Sequence, residues 1–264
     1  MNIHEIDALG KQALKIARKT ILSYYGSEVG VQYKADATPV TIADQLAEEH
    51  MREFFSKEMD CGFVGEEHGS KDLKKEYVWV MDPIDGTKSF VREVPLFGSM
   101  VACLKNGEPI WGSIDIHAQN KQVIAGKGLG CKMNGAPVKV SQNSSKSQSC
   151  LLTGTVNTFS SFGMEFQLDR LRKDFGLYRG WGDCFGYFQV LTGKAEAMVD
   201  PVVSLWDIAP LPILFEEAGG KFSNLKGQNF EEMLGDITEW NFASDEFTGV
   251  GSNGHWHNKV LARF

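Results

Sequence analysis

Met81-Asp82-Pro83-Ile84-Asp85-Gly86-Thr87-Lys88-Ser89-Phe90 follows directly on the apolar run Tyr77-Val78-Trp79-Val80-Met81. The run reads as a buried strand and the ten residues as the turn that ends it. A carboxylate at the strand end, a proline fixing the next backbone angle and a second carboxylate concentrate charge beside an apolar core. Such charge requires a cation. Asp82 and Asp85 can converge on one side of a tight turn, and the Ile84 carbonyl between them is a third hard oxygen suited to Mg²⁺. Gly86 lets the chain pass close to a ligand, and the N–H groups after it suit an anion where a helix or nest begins. An aspartate-rich surface turn would use the same residues, so the rest of the chain decides.

The chain has 264 residues, 42% of them hydrophobic and 23% charged, enough for one large domain or two packed halves. A net charge of −7 without a long Lys/Arg face argues against nucleic acid and anionic membranes as partners. Five cysteines, Cys61, Cys103, Cys131, Cys150 and Cys184, are spread without a CxxC, which suggests neither a disulfide framework nor a zinc site. No run approaches a membrane span and residues 1–19 lack a signal-peptide core, so a reducing cytoplasm is expected.

Apolar spacing predicts a helix near residues 4–25 and another from Ile42 to Met59, with Thr41 as its N-cap and Asp44 on its first turn. A short strand at 61–64 runs into Gly65-Glu66-Glu67-His68-Gly69, an acidic turn that mirrors the one at Asp82. Strands follow at 99–104, 110–116 and 122–125, the first two joined at Asn106-Gly107. A glycine-bearing loop at 126–137 closes this sheet-rich half, and a serine-rich loop at 141–149 separates two halves of one domain, about 1–140 and 150–264. The second half alternates: strand 151–155, helix 162–175, strand 177–179, helix 184–191 and strand 195–199. Prolines at 210 and 212 confine a further helix to start just after Asp207 and run to Ala218, before a strand at 221–223 and a glycine-rich tail. Glu66, Asp82, Asp85 and Asp207 thus stand on turns at the ends of core elements, where a multi-metal Mg²⁺ site would need them. His4, His50 and His117 show no ligand spacing, whereas His255 and His257, on a terminal loop, could bind a transition metal or face solvent. His68 beside Glu66, and Lys88 just past the acidic turn, are candidates for a substrate or phosphate contact.

Gly65-Glu66-Glu67, Asp82-Pro83-Ile84-Asp85-Gly86-Thr87, the stretch from Trp206-Asp207 to Gly219-Gly220, and Thr38-Pro39-Val40-Thr41-Ile42-Ala43-Asp44 together resemble the inositol monophosphatase family, in that family's order. The resemblance implies an α/β fold, a layered αβαβα sandwich, spanning residues 1–264, with a homodimer as the family's habit and lithium sensitivity as its tendency. It implies two or three Mg²⁺ held by Glu66, Asp82, the Ile84 carbonyl, Asp85 and Asp207, and phosphate on the N–H groups of Gly86 and Thr87. It further implies a nucleophilic water held by Glu66 and Thr87, with Asp44 polarising the threonine hydroxyl, so that a small phosphorylated metabolite is hydrolysed. Two details resemble the histidinol-phosphate phosphatase branch: Lys88-Ser89-Phe90 after the acidic turn, and Trp181-Gly182-Asp183-Cys184-Phe185-Gly186 later. In that branch Arg179, Trp181, Asp183 and Asp200 lie near the substrate, and a buried carboxylate such as Asp183 would pair with its ammonium group. Phe185 stands where that branch carries a tyrosine, and inositol phosphate or sugar phosphates are the competing substrates.

Overall fold

The computed structural model describes residues 1–27, 31–33, 39–240 and 246–264. Thr38 and the polar residues around it lie outside the described residues.

Alternation along the strand Tyr77–Asp85 organises the layers. Tyr77, Trp79 and Met81 enter one apolar cluster and Val78 and Val80 the other, so the strand is buried on both faces. It lies inside an eight-stranded sheet whose order is Ala136–Pro137, Gly130–Met133, Lys121–Gly126, Glu108–Ile116, Gly98–Lys105, Tyr77–Asp85, Gly62–Gly65 and Gly69–Lys71. Helices Ile3–Tyr24 and Ile42–Glu58 cover the outer face. Phe55 stacks on Trp79 at 3.9 Å there, and Trp111 packs so closely on the first helix that position 10 has room only for glycine.

The inner face carries helices Asp183–Leu191, Leu205–Ile208 and Leu211–Ala218, whose Phe188, Leu205, Leu211 and Leu214 share a cluster with Val80, Met100 and Ile114. Beyond them lies a five-stranded sheet in the order Leu177–Arg179, Cys150–Thr153, Ala197–Val203, Phe247–Ser252, Lys221–Ser223. Leu152 and Met198 face the middle helices, whereas Leu151, Ala197 and Val199 face an outer layer that includes helices Val156–Ser161, Glu165–Asp174 and His257–Leu261. The result is the αβαβα sandwich expected. No helix among the described residues is long and apolar enough to cross a membrane.

Four sequence expectations are corrected. The glycine-rich tail holds the strand Phe247–Ser252, which pairs antiparallel with both Ala197–Val203 and Lys221–Ser223. The helix expected over 162–175 runs Glu165–Asp174, and an unexpected short helix, Val156–Ser161, precedes it across Gly163, where φ is +66°. The strand expected over 195–199 runs Ala197–Val203. No helix begins just after Asp207. Ser204 caps a short helix Leu205–Ile208 that contains Asp207, and a second helix starts at Leu211.

Candidate functional site

Asp82 and Asp85 are three residues apart, so in an unbroken strand their side chains would leave opposite faces. Pairing with Gly98–Lys105 prevents this. Asp82 opposes Met100 and Asp85 opposes Gly98, leaving Pro83 and Ile84 against Ser99 alone, which is a β-bulge. The extra residue reverses the alternation: Ile84 joins Met81 in the outer cluster, and both carboxylates turn inward. Asp207 meets them from the short middle-layer helix, where its Oδ2 accepts the Ser204 N–H at 2.8 Å in a capping box. The ligand oxygens of Asp82, Asp85 and Asp207 lie within 4.8 Å of one another.

Proximity and burial oppose ionisation here. Burial raises Asp82 well above the usual carboxylate range, and the charges of Glu66, Asp85 and Asp207 raise it further. Burial, then Asp183 and Asp207, do the same to Asp85, and burial followed by Glu66 pushes Asp207 up to about 8. Asp82 Oδ1 is buried without a hydrogen-bond partner. An orphaned carboxylate oxygen among mutually repelling carboxylates is the donor set that a hard divalent cation satisfies, so these residues fit a metal.

Glu66 belongs to the same field. Its N–H bonds the Met81 carbonyl at 3.2 Å, which ties its turn to the strand that carries Asp82. Sequence reasoning missed what holds that turn: Glu48, fully buried on the second helix, accepts the N–H groups of Glu67 at 2.9 Å and His68 at 3.2 Å and pairs with Arg52 at 2.7 Å. An ordinary i,i+4 helix pair was its only trace in the sequence. Asp44 takes the third position of a capping box, with Oδ2 accepting from both the N–H and the hydroxyl of Thr41. Burial, opposed by these bonds, pushes it up to about 6. The Thr87 hydroxyl donates to the Ile84 carbonyl at 3.0 Å, so its proton is directed there and not to Asp44.

Gly86 has φ of +85° and faces Asp183, whose Oδ2 would lie 3.3 Å from a β-carbon placed there. Asp183 itself is held at φ +56° at the start of its helix, and the next amide, Cys184 N–H, donates to Asp85 Oδ2. The two halves therefore interlock at Asp85. Between them lies a cavity of about 190 Å³ whose lining includes Asp85, Lys88, Asp183, Tyr187, Asp200 and Asp207. Burial pushes Asp200 up to about 7, with Asp183 adding to the effect and Tyr187 and the Gly154 amide opposing it. Tyr187, another residue missed from the sequence, has its hydroxyl buried beside Asp200 without a well-aligned hydrogen bond.

The other expected contacts lie elsewhere. Arg179 and Trp181 are exposed, stacked on each other at 6.0 Å, and are not among the residues lining the cavity. Phe185 is buried in the central core. His68 is exposed and its Nε2 contacts the Gln45 carbonyl at 3.0 Å. His257 is not on a solvent-facing loop: it is buried between Ser223 and Ser252, 2.9 Å from each hydroxyl.

Residues 2–263 match the model of the inositol monophosphatase family. The chain is 39% identical over 221 residues to a histidinol-phosphatase of Chlorobaculum parvum, covering 82% of this chain and 85% of that one. It is 30% identical over 242 residues to a histidinol-phosphatase of Mycobacterium tuberculosis, covering 89% and 88%. The solved structure of the extragenic suppressor protein suhB from Bartonella henselae superposes with a TM-score of 0.86 over 98% of both chains at 21% identity, a likeness of fold. With sequence match and architecture in agreement, the chain belongs to the inositol monophosphatase family, whose members are phosphoric monoester hydrolases.

Proposed function

We propose that the protein is a Mg²⁺-dependent phosphatase that converts histidinol phosphate to histidinol and phosphate. The observation that carries this reading is the placement of Asp85 and Asp207, which cluster with Asp82, on the same cavity as a second acidic pair, Asp183 and Asp200. The first group would hold two or three Mg²⁺ together with Glu66 and the Ile84 carbonyl. The bound metal would supply Lewis-acid polarisation of the phosphate and a lowered pKa for water. Gly86 and Thr87 would offer their amides to the phosphate, and Glu66 and Thr87 would orient the attacking water. Asp44 would accept the Thr87 proton once that hydroxyl turns from the Ile84 carbonyl. Water adds to phosphorus, the bond to the alcohol oxygen breaks, and that oxygen leaves protonated.

The second group would receive the ammonium of the substrate. A cation seated there would favour the ionised form of Asp200, which burial disfavours, and would meet the exposed carboxylate of Asp183 at the mouth, and this supports an amine over a neutral polyol. The names of the relatives point the same way. Arg179 and Trp181 would reach the substrate only through movement of their exposed segment. Five free, buried cysteines support a reducing, cytoplasmic setting, and a homodimer is the assembly we propose. The test is kcat/KM with Mg²⁺ for histidinol phosphate against inositol 1-phosphate. A preference of about 100-fold or more for the amine is expected, falling sharply in Asp200→Asn. Preference for inositol phosphate, or equally low rates on both, would overturn the substrate assignment.

A further inference from the structure

The bulge that brings Asp82 and Asp85 together is held from the far side of the sheet. Pro83 has no N–H to give the ladder, and its carbonyl is taken by a side chain: the Ser99 hydroxyl donates to Pro83 O at 2.6 Å. Ser99 is fully buried and is the single residue facing the two bulged ones. Its oxygen also contacts His117 Nε2 at 2.7 Å. A serine has one proton, and here it goes to Pro83, so His117 must be the donor in that contact. His117 Nδ1 is then the bare nitrogen, and it is buried without a hydrogen-bond partner, 3.6 Å from Asp115 Oδ2. Burial holds the imidazole neutral, down to about 4. The Asp115 carboxylate is engaged instead by Arg18 of the first helix and by Gln122, whose amide donates to it at 3.0 Å.

We propose that Ser99, oriented by His117, clamps the Pro83 carbonyl and so sets the bulge that gives Asp82 and Asp85 a common face for the metal. Both are positioning residues. Neither touches a carboxylate of the metal cluster, and they lie on the outer side of the sheet, among residues such as Phe97. Without the hydroxyl, Pro83 O and His117 Nε2 would both be buried and unpaired, which disfavours the bulged arrangement. Slipping back into regular pairing would relieve part of that cost and move Asp85 to the wrong face. The clamp rests on the metal reading proposed above.

The test is calorimetric titration of Mg²⁺ into phosphate-free protein. Ser113→Ala serves as the control, because Ser113 is equally buried in the same sheet but bonds Val101 O at 3.3 Å, away from the turn. Ser99→Ala should weaken Mg²⁺ binding about 10-fold or more, as losing an outer-sphere partner does. Ser99→Thr should restore it and Ser113→Ala should leave it at the wild-type value. In turnover, Ser99→Ala should need correspondingly more Mg²⁺ for half-saturation yet recover kcat at saturation. Wild-type affinity in Ser99→Ala, or an equal loss in Ser113→Ala, would overturn the clamp. Should Ser99→Ala not fold, His117→Phe, which keeps the ring and removes the donor, must show a loss in the same direction. Unchanged affinity there would overturn the clamp as well. A wild-type protein that takes up no Mg²⁺ would instead refute the metal reading itself, before any variant is compared.

Discussion

Replacing Asp207 by asparagine should stabilise the metal-free protein at alkaline pH. The carboxyl is half-buried with Asp82 and Asp85 within 4.8 Å, and burial followed by Glu66 moves its pKa from 3.8 to about 8. The folded chain therefore binds this proton more tightly than the unfolded chain. Stability falls as pH rises through the window between those values, and the whole penalty is present above about 8. At about 1.36 kcal/mol for each pH unit, the upper bound is roughly 6 kcal/mol. Solvent at the half-exposed carboxyl, and neighbours able to hold the proton in its place, bring the expected gain to about 2 kcal/mol. Asparagine keeps an acceptor for the Ser204 N–H and removes only the charge. Urea denaturation in chelator at pH 8 should place the variant about 2 kcal/mol above wild type, with the gap closing near pH 4. Saturating Mg²⁺ should reverse the order, because the variant has lost a ligand and with it the stabilisation that binding confers. A variant less stable than wild type at pH 8 without metal, or a gap indifferent to pH, would refute the reasoning.

Asp85→Asn should reduce kcat/KM about a thousand-fold, since several kcal/mol of charge stabilisation depend on the ligand it removes. Unaltered turnover and Mg²⁺ dependence in a steady-state assay would remove Asp85 from the site. Glu48→Gln breaks the buried pair with Arg52 and should cost about 3 kcal/mol in denaturant unfolding, while lowering activity through the Glu66 turn. Gly65→Ala puts a β-carbon into the Glu48 carboxylate, so it should lower activity in the same way, and wild-type rates would show that Glu48 does not position Glu66. Lithium should inhibit phosphate release in competition with Mg²⁺, and a rate unaffected by lithium would count against the family tendency.

The acidic turn was legible because charge is expensive beside an apolar strand, and the strand was legible because it is apolar on both faces. What escaped was anything that depends on a partner distant in sequence. Phe247–Ser252 looked like tail because Gly249 and Gly251 interrupt its apolar pattern. Those glycines are there because the Tyr187 hydroxyl and the Phe215 ring press against the strand where side chains would stand. The start of the Asp207 helix was misplaced because two prolines outweighed a serine cap. The convergence of Asp82 with Asp85 required the bulge, which a strand's own sequence does not reveal, since it is defined by the register of Gly98–Lys105. The expected pairing of Asp44 with Thr87 gave way to nearer partners, Thr41 and the Ile84 carbonyl. Tyr187 gave no signal, since helical aromatics are ordinarily core.

The order of strands in the second sheet has a consequence for synthesis on the ribosome. Phe247–Ser252 is the last of its strands in sequence but lies between Ala197–Val203 and Lys221–Ser223. The first sheet has all its strands once residue 137 has been made, and it can assemble while translation continues. The strand bearing Asp200, by contrast, keeps an open edge until residue 252 emerges, with Asp207 already synthesised beside it. During that interval the nascent chain offers unpaired backbone to any passing strand. The interval between those two residues is therefore where chaperone capture, or aggregation in its absence, should act on this enzyme.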